Sequence, residues 1–293
     1  MSSIVIAQGR NGFMTHSDGT NTLTIPVKSW SLNEPRNLVI PVPVSNSWAT
    51  NFAEGLRSAR VVVNYDFTNT ASTLLLSTTF WSWWLTRTFG ATGFDDTPPL
   101  TLTMNNQQDT YVASLAKAES FTLAIKPGMQ VGLQAVYAVP APAAKTDAVA
   151  SGYTPFGSTR PLMWNDCSFS GITGDIYGVE LGYSNNHLPR VPLPGTGVFS
   201  GTNVMAGWDA GPRTCNARFD FAARMSTNTP FADGATLTIG LSNSNRVFTL
   251  SSVVPNITDD QSVDLGQVFT PWPCTVLGAL LSATQQPPLW LST

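Results

Sequence analysis

The stretch STTFWSWWLTRTFG, Ser77 to Gly90, puts four aromatic rings into the five positions Phe80 to Trp84 and flanks them with hydroxyl residues. As a strand with period two, it places Trp81, Trp83, Leu85 and Phe89 on one face, with Phe80 and Trp84 on the other beside Ser82, Thr86 and Thr88. A helix would gather Phe80, Trp83, Trp84 and Arg87 into one stripe, but crowded Thr and aromatic residues lower helix propensity and raise strand propensity. The stretch therefore reads as a strand with large apolar groups on both faces. A one-sided sheet leaves one set of rings bare, so a second layer, a sugar, a membrane or a neighbouring chain must cover them.

The surrounding chain is built from short runs rich in Val, Ile, Thr and aromatics, separated by turn residues, which predicts an all-β sandwich or barrel. The clearest runs are NTLTIPV, NLVIPVPV, ARVVVNYDFT, ESFTLAIK and MQVGLQAVYAV. ATLTIGL and RVFTLS, joined by the polar SNSN of Ser242 to Asn245, predict a hairpin. A helix is expected only in SWATNFAEGLRSA, Ser47 to Ala59, where Ser47 can cap and Trp48, Phe52 and Leu56 recur every four residues.

Between Pro140 and Pro161 the texture changes to Pro, Ala, Gly and Ser, and HLPRVPLPGTG, His187 to Gly197, predicts an extended, solvated segment. The simplest organisation is a main β barrel of residues 1–139 and 232–293, interrupted by a projecting β-rich insertion of 140–231. DIYGVELGY and ARFDFAARM supply strand-like runs to that insertion.

Only 11% of the 293 residues are charged and the net charge is −3, which predicts a neutral, hydroxyl-rich surface. The 15 basic residues are scattered singly, so neither a nucleic acid nor an anionic lipid surface is an expected partner. The longest apolar run, around Thr275 to Ala283, is shorter than the ~18 residues of a spanning helix. The N-terminus shows no basic segment followed by an apolar run, so synthesis without a signal peptide is expected. Cys167, Cys215 and Cys274 are widely spaced and odd in number, which predicts buried free thiols.

Catalytic chemistry finds little purchase. GxSxG, P-loop and HExxH patterns are absent, and the two histidines, His16 and His187, are expected in surface loops. GTGVFSG, Gly195 to Gly201, has the wrong spacing for a phosphate loop and reads as a turn. The acids Asp66, Asp95, Asp96, Asp259 and Asp260 include pairs that suit turns rather than the two opposed carboxylates of a glycosidase. The expectation is a protein that is not an enzyme and needs no cofactor, metal or small-molecule substrate.

In size, all-β character, neutral surface and apolar terminal segments, the chain resembles viral coat proteins. In particular it is similar to the larger of the two small major capsid proteins of tailless, icosahedral, membrane-containing phages of thermophilic bacteria. That resemblance implies a single upright jelly-roll barrel with the insertion as an outward tower. It also implies a cytoplasmic origin in the host, a place in the virion capsid, and contacts with copies of itself, a second smaller coat protein and an internal virion membrane. Phe80 and Trp84 are then expected beneath a subunit contact or beneath the insertion, and Leu289, Trp290 and Leu291 of PPLWLST are expected to dock in cis or in trans. The alternative is a carbohydrate-binding sandwich, lectin-like or phage receptor-binding, with exposed Trp and Tyr stacking on sugars beside Asn and Asp.

Overall fold

The computed structural model describes residues 5–6, 13–34, 38–39, 53–54, 59–67, 74–85, 97–105, 109–140, 143–146, 160–190, 207–209, 211–222, 231–241, 246–256, 269–277, 280–281, 284–285 and 289–292. They form an all-β, antiparallel sandwich in which sixteen strands share one hydrogen-bonded network. The main path runs Val5–Ile6, Ser29–Asn33, Ala59–Asp66, Gly132–Val139, Thr110–Ile125, Ile176–Ser184, Thr214–Ala222, Phe269–Val276, Arg246–Pro255, Ala235–Leu241 and Ser168–Ser170. The two end strands do not pair with each other, so the sheet stays open rather than closing into a barrel.

The sixteen-residue strand Thr110–Ile125 joins the layers. Its first half pairs with Leu100–Asn105 and Ala144–Thr146, and its second half with Gly132–Val139 and Ile176–Ser184. The change of partner falls at Leu115, a solvent-exposed residue whose φ of 56° lies in the left-handed region, so the strand bends there. Leu100–Asn105 continues the smaller layer through Phe13–Ser17 to Thr22–Pro26. The predicted hairpin is present, with Leu241 opposite Arg246.

The decisive stretch is not a strand. Thr78–Leu85 is an α-helix, α1. Ser77 starts it as an N-cap, its Oγ accepting the Phe80 N–H at 3.1 Å. Phe80, Trp81, Trp83 and Trp84 are each at most 1% exposed, and Leu85 is also buried. Thr78, Thr79 and Ser82 make a narrow polar side, with Thr78 exposed, and the apolar residues take up the rest of the circumference; a helix with so broad an apolar face belongs against a core, and here burial outweighs the modest propensity penalty of Trp, Phe and Thr. Trp84 packs on Tyr137 with ring centroids 5.2 Å apart, Trp81 on Phe121 at 5.2 Å and on Phe248 at 4.8 Å, and Phe80 on Tyr65 at 5.8 Å. Tyr65 and Phe248 sit on strands six steps apart in the order above. In a flat sheet that separation is ~29 Å at ~4.8 Å per strand, far beyond one helix diameter, so the sheet must curl around α1.

Two further expectations are corrected. Ala53–Glu54 is a short strand paired with Leu38–Val39, and Ala59 opens another, so these positions are not helical; the rest of Ser47 to Ala59 lies outside the described residues. The segment 140–231 is not a separate projection either. Its strands Ile176–Ser184 and Thr214–Ala222 occupy the middle of the main sheet and bury Val179, Leu181, Tyr183, Phe219 and Phe221 in the common core. The alternating pattern that marks them as strands is the same pattern that lets them continue a sheet, and the Pro-rich flanks do not prevent it.

Candidate functional site

Two aromatic groups compete for a functional role: the rings of α1 and a surface cleft at the sheet edge. The first is tied down by polar contacts that the sequence reading did not anticipate. His16 is fully buried on Phe13–Ser17, with its ring stacked on Trp83 at 5.8 Å and its Nε2 2.8 Å from the Tyr65 hydroxyl. The Tyr65 hydroxyl lies 3.1 Å from that of Tyr137, giving a chain of three polar groups within the apolar core. Burial lowers the His16 pKa to about 3, so the imidazole is neutral at ordinary pH, and burial pushes that of Tyr137 up, well out of working range. These groups hold the core together rather than exchange protons with solvent.

At the edge of this core the Trp83 indole donates to Asp18 Oδ2 at 2.9 Å. Partial burial alone would raise the Asp18 pKa, but donors from the Asn21 backbone, Trp83, the Asn21 side chain and the Thr20 backbone outweigh it and hold the carboxyl well below the usual range. At the other end of α1, Asn185 Nδ2 donates to the Trp84 carbonyl at 3.4 Å and to Ala118 O at 2.8 Å, while Arg213 Nη1 donates to Leu85 O at 3.3 Å. Arg246 Nε donates to Leu76 O before the helix begins. Carbonyls at a helix C-terminus lack intrahelical partners, and these side chains supply them.

Phe80 and Trp84 are therefore covered in cis, by the chain's own core, with Asn185 and Arg213 of the 140–231 segment closing the helix end. Both are 0% exposed within the single chain. Leu289, Trp290 and Leu291 dock in cis as part of the strand Leu289–Ser292, opposite Leu250, Thr249 and Phe248. The outer edge of that strand has no strand partner among the described residues.

His187 also departs from expectation, being buried with Nε2 3.1 Å from Ala118 O and 3.3 Å from Thr97 Oγ1, whereas Leu188–Arg190 beyond it is extended as predicted. Cys167, Cys215 and Cys274 are free thiols, the last two buried; burial raises all three pKa values to about 12, with Asp166 adding to the effect at Cys167. Such thiols are poor nucleophiles. Asp95, Asp96, Asp259, Asp260, Phe89, the side chain of Asp66 and Gly195 to Gly201 lie outside the described residues. Among the described residues no three His, Cys, Asp or Glu side chains group as metal ligands, and no helix is long and apolar enough to cross a membrane.

The second group lines an open cleft of about 490 Å³ between the turn Trp164–Asp166 and the start of Ile176–Ser184. Trp164, Phe169, Ile172 and Ile176 form its half-buried floor, and Asn165, Ser168, Asp175 and Tyr177 are solvent-exposed. A second cleft of about 390 Å³ crosses the strands carrying Ser29, Asn64, Gln134 and Glu180. There Asn64 donates to Ser29 Oγ at 2.9 Å and accepts from Gln134 Nε2 at 3.1 Å, so its polar groups already satisfy one another. Comparison with protein-family models and with curated proteins finds no match to this chain.

Proposed function

We propose that the chain is a structural coat protein, a building block of an icosahedral viral capsid that assembles through subunit contacts. The observation that carries the reading is how the aromatic residues are divided from the exterior. All the rings of α1 are spent on the chain's own core, and the charge-poor exterior displays separate apolar side chains such as Leu115, Met129, Leu188 and Leu277. Neutral, hydroxyl-rich surface can be buried against a neighbour without desolvating ions, which keeps the cost of lateral packing low. An open sandwich suits this role because its edges remain for docking.

Leu289–Ser292 is the contact element in this proposal. Its outer edge presents backbone donors and acceptors that a strand from a neighbouring copy, or from a second smaller coat protein, can pair with. The remaining proposed partner is a membrane inside the shell, with the chain made in the cytoplasm of a bacterial host. Mass spectrometry of purified virions tests the reading: the chain should be among the most abundant proteins, in fixed ratio to a smaller one. Presence only in trace amounts, or confinement to infected-cell lysate, would remove the coat role. The lectin alternative loses Phe80, Trp81, Trp83 and Trp84 as a platform, since all four are inside.

A further inference from the structure

We propose that the cleft formed by Trp164, Phe169 and Tyr177 at the sheet edge is a binding site for a neutral saccharide. Its shape is fixed before any ligand arrives. Asp166 holds the turn that carries Trp164 and Asn165, accepting from Arg160 Nη2 at 2.6 Å and from the Met163 N–H at 2.9 Å. Leu162, just before the turn, is bonded to both Phe67 and Val131 of the main body. On the far side Phe169 sits in an edge strand paired with Ala235–Leu241. The chain then reverses at Gly171, where φ is +81° and a Cβ would lie 2.6 Å from the Thr236 carbonyl oxygen, so only glycine fits. A site held this way loses little conformational entropy on binding.

The lining selects the ligand class. Trp164 and Phe169 have centroids 5.2 Å apart at an interplanar angle of 39°, which makes one continuous apolar surface on the floor. That spacing leaves no room for an ammonium group between the two rings, as a cation cage would need. Asp175 is the only charged residue in the lining, so an anionic ligand would meet repulsion and no counter-charge. Asn165, Ser168, Asp175 and Tyr177, all solvent-exposed, add hydrogen-bonding groups to this apolar lining. A pyranose matches both, with C–H faces for the rings and hydroxyls for those groups. The volume, about 490 Å³, lies within the range of small-ligand pockets and accommodates one or two sugar units.

The test uses the isolated full chain and does not depend on whether it forms shells. The protein is screened on an array of neutral and acidic oligosaccharides, and the best neutral binder is titrated by NMR against wild type, Trp164→Ala, Tyr177→Ala and Asp175→Asn, with melting followed by circular dichroism. A neutral saccharide should bind, at about millimolar affinity for one hexose. Tyr177→Ala and Asp175→Asn, both at exposed positions, should melt as wild type and bind at least about tenfold more weakly, and Trp164→Ala should abolish binding. Absence of any saccharide binding, wild-type affinity in the Tyr177→Ala and Asp175→Asn variants, preference for acidic glycans, or displacement by tetramethylammonium would each overturn the proposal.

Discussion

The helix Thr78–Leu85 and the cleft at Trp164 to Tyr177 are both rich in aromatic rings, yet they use them in opposite ways. In the helix, Phe80 and the three Trp side chains are sealed from solvent, and the polar partners His16, Asp18, Asn185 and Arg213 fasten the element in place. In the cleft, Trp164 and Phe169 are only half-buried, Tyr177 is 44% exposed, and Asn165, Ser168 and Asp175 are exposed. Ring density alone does not identify a binding surface. What separates core from platform is whether the sheet has another layer with which to cover the rings.

The contrast makes graded predictions. Trp84→Ala or Trp81→Ala should cost about 3–5 kcal/mol, because each empties the centre of the core; chemical denaturation should show it as a large drop in midpoint, or as failure to fold. A loss below ~1 kcal/mol would mean that the ring is not packed as described.

Acid should weaken the helix side of the comparison next. His16 is neutral in the fold with a pKa of about 3, and its unfolded value is about 6.5. Between those values the unfolded chain binds a proton that the folded chain does not. His16 therefore contributes stability that is fully present above about pH 6.5 and is lost as pH falls, with a limiting slope of ~1.4 kcal/mol per pH unit. Asp18, with its depressed pKa, adds stability present above the unfolded value of ~3.9 and lost on further acidification. Stability of His16→Gln measured from pH 7 to pH 4 should fall less steeply than that of wild type.

A smaller effect distinguishes two neighbouring indoles. Trp83→Phe removes the donor to Asp18, whereas the Trp81 Nε1 has no partner among the described residues. Trp83→Phe should therefore cost ~1–2 kcal/mol more than Trp81→Phe, and a double-mutant cycle with Asp18→Asn should show the coupling. The smallest change belongs to the cleft: Tyr177→Ala should alter stability by no more than about 0.5 kcal/mol.

Much of the sheet was legible in the sequence. ATLTIGL, RVFTLS, ARVVVNYDFT and MQVGLQAVYAV carry β-branched residues with turn residues at their ends, and each became a strand because pattern and propensity agree. FWSWW misled for the opposite reason. Its propensity favours a strand, and only the long-range neighbours Tyr65, Phe121, Tyr137 and Phe248 decide otherwise. His16 misled similarly, since MTHSDGTN contains a turn at Asp18 to Asn21 but its first residues are a buried strand. The cleft was illegible because Trp164 and Phe169 meet across the turn Trp164–Asp166 and Tyr177 joins the lining only beyond Gly171, where φ is positive. Trp164 within MWNDC offered the single hint, an aromatic beside Asn and Asp.

Hydrogen exchange on the isolated chain tests most directly that the rings of α1 are covered in cis. The amides of Trp81 to Leu85 should exchange only through global unfolding, as slowly as those of Leu123 and Val136 in the central strands, with no need for a partner. Rapid exchange of these amides in the isolated chain, becoming slow only on assembly, would show instead that a neighbouring subunit covers the rings.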